Sequence, residues 1–351
     1  MKLLDVVTDR WEPASFDLLD WDAFLVEARN AGILASLGFR FEKCGWLERL
    51  PPEVLSHIQA ECAIAVENQR ALRWEVNRIQ RALAKLDVPI ILLKGAAYIF
   101  AGLPSSPGRV ASDVDILVPK EHLADVEHTL IERGWATMKL DAYDQRYYRT
   151  WMHELPPLCH RDRDVVVDVH HNILPETGRL HPDPRELVKS STSVDGERLR
   201  VLAPHDMVLH SAAHLFQDGE LNGGLRDLVD LDSLLRHFGS GENFWDGLLS
   251  RAQTMDLERP LFYALRYCEQ WLGTPLPDTS ALKRPRVPAL TIMDALTRRA
   301  VMPDGFRPHS LRTQLARWLL YVRSHWLRMP PVLLARHLLR KAWARTRSQN
   351  S

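Results

Sequence analysis

The chain is poor in cysteine, has no long apolar run and carries no net charge. Its four cysteines, Cys44, Cys62, Cys159 and Cys268, form no CxxC pair. That spacing excludes the common zinc-finger and zinc-ribbon patterns and supplies no disulfide framework, so buried free thiols are expected. The most apolar window, Val88 to Leu103, is too short to span a bilayer and holds Lys94. The opening Met-Lys-Leu-Leu-Asp-Val-Val has too brief an apolar stretch for a signal peptide, and the chain reads as cytoplasmic. Low-complexity tracts and repeats are missing too, which excludes solenoids and disordered linkers.

Lys plus Arg and Asp plus Glu both total 45, but the charge is unevenly spread. No acidic residue comes after Asp304, while Arg307, Arg312, Arg317, Arg323, Arg328, Arg336, Arg340, Lys341, Arg345 and Arg347 do. A polyanion, a membrane surface or the body of the protein itself would suit so basic a tail. With 351 residues, 46% of them apolar and 26% charged, the chain has the make-up of an ordinary folded protein large enough for two lobes.

The periodicities divide it into three segments. Residues 1–86 read as helical and packed on the middle segment, with Pro51-Pro52 opening a long helix at its first turn. Residues 87–203 alternate strand and helix patterns. Residues 204–351 give helices near 204–216, from Asn222-Gly-Gly224 through Leu235, and near 243–256, 258–272, 288–300, 309–328 and 331–346, with no convincing strand.

Chemistry concentrates in the middle segment. Val88 to Leu93 is a branched apolar run suited to a strand buried on both faces, and Lys94-Gly95-Ala96 turns it into a short helix. Such a turn can cradle a phosphate, although many serve geometry alone. Next, Arg109-Val-Ala-Ser-Asp113-Val-Asp115-Ile-Leu-Val118 places two carboxylates on one face of a strand. Like charges so close repel unless a cation sits between them, and Mg²⁺ is the hard, oxygen-seeking choice. A third apolar run, Asp164-Val-Val-Val-Asp168-Val-His170, carries Asp168 among valines, where a carboxylate needs a partner. If the three runs are neighbouring strands, Asp113, Asp115 and Asp168 form one metal-binding cluster. A solvated strand end and a hydrogen-bonded structural aspartate are the plainer alternatives. His210 and His214 stand four apart on one helical face, but no Glu follows His210 as a metalloprotease would need. Arg226 and Asp230 have the spacing of a helical ion pair.

The order of these signals resembles the DNA polymerase β-type nucleotidyltransferase superfamily. More narrowly it is similar to the bacterial uncharacterised nucleotidyltransferase family, through Leu93-Lys94-Gly95, Arg109 to Val118 and Val167-Asp168-Val169-His170, over roughly residues 70 to 240. The resemblance implies an α+β fold: a polymerase β-like core of a small mixed sheet flanked by helices, with an all-helical C-terminal lobe. It also implies transfer of a nucleoside monophosphate from an NTP such as ATP to a small molecule, peptide, protein or RNA. Asp113, Asp115 and Asp168 would be the catalytic and metal-binding residues, holding Mg²⁺ or alternatively Mn²⁺ at two positions. Lys94, Gly95 and Arg109 would bind phosphate, and His170, His210 and Arg226 would lie near the acceptor. The superfamily's turn usually reads Gly-Ser or Gly-Gly, whereas here it reads Lys94-Gly95-Ala96; the serine hydroxyl is missing, and the Lys94 charge could replace its contact. Two other readings remain open from sequence: an RNA-directed enzyme using the basic tail, and an inactive nucleotidyltransferase fold that only binds.

Overall fold

The computed structural model describes residues 2–138, 148–195, 198–217, 221, 223–279, 282–305 and 310–329. The expected helix near 331–346 and the most basic part of the tail lie outside the described residues.

The N-terminal segment is helical: α1 (Lys2–Val7), α2 (Leu18–Asn30), α3 (Leu34–Lys43) and the long α4 (Pro52–Ala82). Asp17 caps α2 by accepting from the Asp20 backbone N–H, while Asp20 reaches back to the Asp17 N–H, which satisfies two donors that the first turn leaves open. Pro52 takes the first position of α4, where its missing N–H costs nothing. Val54, Ile58, Ala65, Leu72, Val76 and Ile79 form that helix's buried stripe.

The middle segment builds a seven-stranded mixed sheet. Its strands are β1 (Ile90–Leu92), β2 (Asp113–Leu117), β3 (Trp135–Thr137), β4 (Leu158–His160), β5 (Val166–His170), β6 (Thr192–Asp195) and β7 (Leu199–Val201), ordered β3-β4-β5-β2-β1-β7-β6. The three apolar runs are therefore neighbours: β1 pairs antiparallel with β2, and β2 pairs parallel with β5. Val114, Ile116, Val167 and Val169 are fully buried, each burial stabilising by roughly 1.5–3 kcal/mol. Helices α5 (Lys94–Phe100), α6 (Leu123–Glu132) and α7 (Pro184–Ser190) connect the strands.

The last segment is helical among the described residues: α8 (Pro204–Gln217), α9 (Gly224–Phe238), α10 (Phe244–Thr254), α11 (Glu258–Tyr267) with a π-turn at Cys268–Leu272, α12 (Val287–Ala300) and α13 (Leu311–Arg328). One contiguous cluster of buried apolar residues runs from Leu3 to Leu320, through all three segments.

Two corrections concern side chains. The thiols are free, but Cys44 is exposed, Cys62 and Cys159 are half-buried, and only Cys268 is buried. Cys44 is the residue that closes the C-terminal end of α3. The expected Arg226–Asp230 pair is replaced by a tertiary one. Asp230 receives Arg109 Nη2 at 3.0 Å, both side chains being buried, while Arg226 Nε lies 3.9 Å from Asp227.

Helix α4 holds the loop that leads into β2. Asn68 donates to the Ala111 carbonyl and accepts from the Ala111 N–H, both at 2.9 Å. Gln69 donates to the carbonyls of Ser106 and Arg109 at 2.7 and 2.9 Å. On the other side the loop presses on α3. Gly108 has φ +72°, and a Cβ there would lie 2.4 Å from the Ala35 backbone. Gly108→Ala combines a left-handed backbone with that clash and should destabilise the fold by about 2 kcal/mol or more, read from the urea midpoint. An unchanged midpoint would show that the loop is free to retreat from α3.

Candidate active site

The pleat and the register assemble the site. Asp113 and Asp115 alternate with buried Val114, so both face the same side of β2. The parallel register sets Asp168 of β5 opposite Asp115. One carboxylate oxygen from each of Asp113, Asp115 and Asp168 can be chosen so that all three lie within 4.8 Å of one another.

Around them the charges are sharply divided. Lys94 Nζ donates to Asp115 Oδ1 at 2.9 Å, and His170 Nε2 lies 3.0 Å from the same oxygen. Burial alone would raise the Asp115 carboxyl, but Lys94 and His170 outweigh it and hold the group well below the usual carboxylate range. Asp113 is pushed up by burial and then by Asp115. Asp168 is pushed up to about 7, by burial first and then by Asp115 and Glu154. Asp168 Oδ1 is buried without a hydrogen-bond partner. Three hard oxygen donors, two of them strained by their neighbours' charge and one with a buried orphan atom, fit a divalent cation of the Mg²⁺ class.

Lys94 is itself unusual. It has φ +47°, a left-handed conformation that disfavours a side chain by roughly 1–2 kcal/mol. The strain sits where β1 turns into α5 and aims the ammonium at Asp115, a placement typical of functional positions. Gly95 has another role: a Cβ there would come within 3.2 Å of Ala111 Cβ, so its small size lets α5 lie against the loop before β2.

The remaining expected residues, Arg109, His210 and Arg226, surround the aspartates closely enough to feel the charge of Asp113, Asp115 or Lys94. Arg109 is 6% exposed, bound to Asp230 and 6.0 Å from the Tyr98 ring centroid, so it braces the turn that leads into β2. His210, on α8, is buried, and burial followed by the charge of Lys94 keeps it well below its ordinary value. Arg226 lies on α9, reaches towards the Val110 carbonyl at 3.5 Å and borders a cavity of about 690 Å³ that none of the three aspartates lines. His170 does join the site, through Asp115. Two further neighbours, His153 and Glu154, carry no motif in the sequence. Glu154 Oε2 lies 3.3 Å from His170 Nδ1. The only sequence signal was a His-Glu pair ahead of a strand that ends in histidine.

A strand–turn–helix, an Asp-x-Asp strand and a third carboxylate on its parallel neighbour define the chain as a nucleotidyltransferase-type protein. It belongs to the uncharacterised nucleotidyltransferase family, whose sequence model matches residues 17–273. Among solved structures it is similar to an antigenic nucleotidyltransferase-like protein from Paracoccidioides brasiliensis, at 15% identity, over 57% of this chain and 96% of that one, with a TM-score of 0.31. That similarity is too low to carry an argument about the site. No curated protein matches the chain. No described helix is long and apolar enough to cross a membrane.

Proposed function

We propose that the protein transfers a nucleoside monophosphate from an NTP to an acceptor hydroxyl, on a polymerase β-like core, with Asp113, Asp115 and Asp168 holding Mg²⁺ or Mn²⁺. The observation that carries this reading is the convergence of the three carboxylates on one sheet face. When bound, such a cation neutralises phosphate charge and favours an acceptor alkoxide. The chain's own residues prepare for it. Asp115 is kept ionised and oriented by Lys94 and His170 through Oδ1, which leaves Oδ2 for the cation. Asp113 and Asp168 flank it on the same face. Lys94 supplies a fixed positive charge beside the place where a triphosphate would lie, in the role a serine hydroxyl plays in the wider superfamily. Arg109 acts at one remove, by holding the loop and α9 together through Asp230.

Incubation with labelled NTP, Mg²⁺ and a cell extract tests this, with Asp113→Ala/Asp115→Ala beside the natural chain. Label should pass to an acceptor only with the natural chain. Equal transfer by both would sink the assignment.

The state of Asp168 gives a second test. Its folded-state value, about 7, lies above that of an unfolded aspartate. Folding without metal therefore takes up a proton between about pH 4 and 7, and this group's contribution to stability falls as pH rises through that window. A cation in the site displaces the proton and removes the cost. The rise in Tm produced by Mg²⁺ should be small at about pH 5 and grow towards about pH 8, and this pH trend should be lost in Asp168→Asn. An Mg²⁺ shift that is the same at both pH values in the natural chain would contradict the placement.

A further inference from the structure

Beside the aspartates lies a second group of ligating atoms. His153, Glu154 and His170 each offer one donor, and the three donors lie within 4.8 Å of one another. The backbone fixes their approach. Glu154 is the antiparallel bridge partner of His170, and the His171 N–H donates to the His153 carbonyl at 2.8 Å. His153 and His170 are 6% and 3% exposed, with ring centroids 5.3 Å apart.

His170 is the informative member. Its Nε2 is engaged with Asp115 Oδ1 at 3.0 Å. An ionised carboxylate only accepts, so Nε2 carries the proton. Nδ1 lies 3.3 Å from Glu154 Oε2, buried and without hydrogen-bond geometry. A single positive centre fits between the two atoms, either a second ring proton or a metal ion.

The geometry and the donor types favour the metal. Two ligands on one tetrahedral ion with bonds of about 2.0–2.1 Å stand about 3.3 Å apart, which matches the His170–Glu154 separation. Two imidazoles and one carboxylate suit Zn²⁺ and its transition-metal neighbours, whereas three aspartates suit Mg²⁺. A ligating histidine normally donates its other ring N–H to a carboxylate, as His170 does to Asp115.

We propose that His153, Glu154 and His170 form a transition-metal site of the zinc class with an open fourth position, linked through the His170 ring to Asp115. The ion would fix the tautomer and direction of His170 and so hold Asp115 Oδ1 in place. The protein would carry a soft-ligand site and a hard-ligand site side by side, joined by one imidazole. None of the three aspartates is a ligand in this second site, so it stands or falls separately from the nucleotidyltransferase reading.

The test is titration of the full chain with Co²⁺ alone, as a coloured substitute for Zn²⁺, with the visible ligand-field bands as the readout. With excess Mg²⁺ present to fill the aspartate site, one equivalent should bind in the natural chain and equally in Asp113→Asn, and should be displaced by one equivalent of Zn²⁺. His153→Ala should weaken Co²⁺ binding about 100-fold or more, beyond the 10–100-fold that loss of a supporting partner costs. Glu154→Gln keeps the side chain's shape and should show the same loss; it decides the matter if His153→Ala fails to fold. Absence of the bands in the natural chain would overturn the proposal and leave His170 as an imidazolium between two carboxylates. Bands that survive Glu154→Gln, or vanish in Asp113→Asn, would overturn it as well.

Discussion

Asp115→Asn should lower nucleotide transfer by about 10³-fold or more while leaving the fold in place. The size follows from what the carboxylate does. It sits between Asp113 and Asp168, 3% exposed, and is the member that Lys94 and His170 hold ionised. Losing one preorganised electrostatic contact in an active site costs about 10²–10³ in rate, and here the same change also removes a metal ligand. The fold tolerates it because the asparagine oxygen still accepts from His170, and the partly exposed Lys94 can turn to water. Three readouts separate the roles: far-UV circular dichroism should be unchanged, Mn²⁺ affinity should fall and label transfer should fall to background. Retained Mn²⁺ affinity would mean that Asp115 is a structural acceptor for Lys94.

The second large effect is on stability. Arg109→Met leaves Asp230 as a charge 5% exposed with its buried partner gone. Removing one member of a buried pair destabilises by about 3–5 kcal/mol, because the remaining carboxylate loses its close counterion and keeps only the weaker pull of Arg226. Adding Asp230→Leu should recover most of the loss, since an apolar pair of similar volume avoids the desolvation cost altogether. Urea denaturation of the two single variants and the double variant measures this. Additive losses would contradict the pairing. The double variant should also retain Mg²⁺ binding, because Arg109 supports the loop and touches none of the three aspartates.

Much of the site was legible because short-range patterns determine it. The alternation of Asp113, Val114 and Asp115 fixes which side chains share a face, whatever else the chain does. The branched runs of β1, β2 and β5 could hardly be other than buried strands, and buried strands close in sequence tend to pair. What sequence did not reveal depends on distant partners. Arg226 and Asp230 had ideal helical spacing, yet Arg109, 121 positions before Asp230, outcompetes that pair by arriving in a drier place. Strands β6 and β7 are short and partly polar, so neither shows a strand period. They exist because β7 completes the sheet beside β1. Glu154 comes to His170 because β4 and β5 form a hairpin and the chain ahead of β4 folds back over the strand end. Locally only its place beside His153 singles it out.

The central claim is that the three aspartates serve transfer of a nucleoside monophosphate, and one measurement addresses it most directly. The natural chain and Asp113→Asn are incubated with Mg²⁺, a cell extract and ATP labelled either at the α- or at the γ-phosphate. Label from the α-position should appear on an acceptor, label from the γ-position should leave as pyrophosphate, and Asp113→Asn should give neither transfer nor pyrophosphate. Transfer of γ-label, or α-label transfer undiminished in Asp113→Asn, would contradict the account.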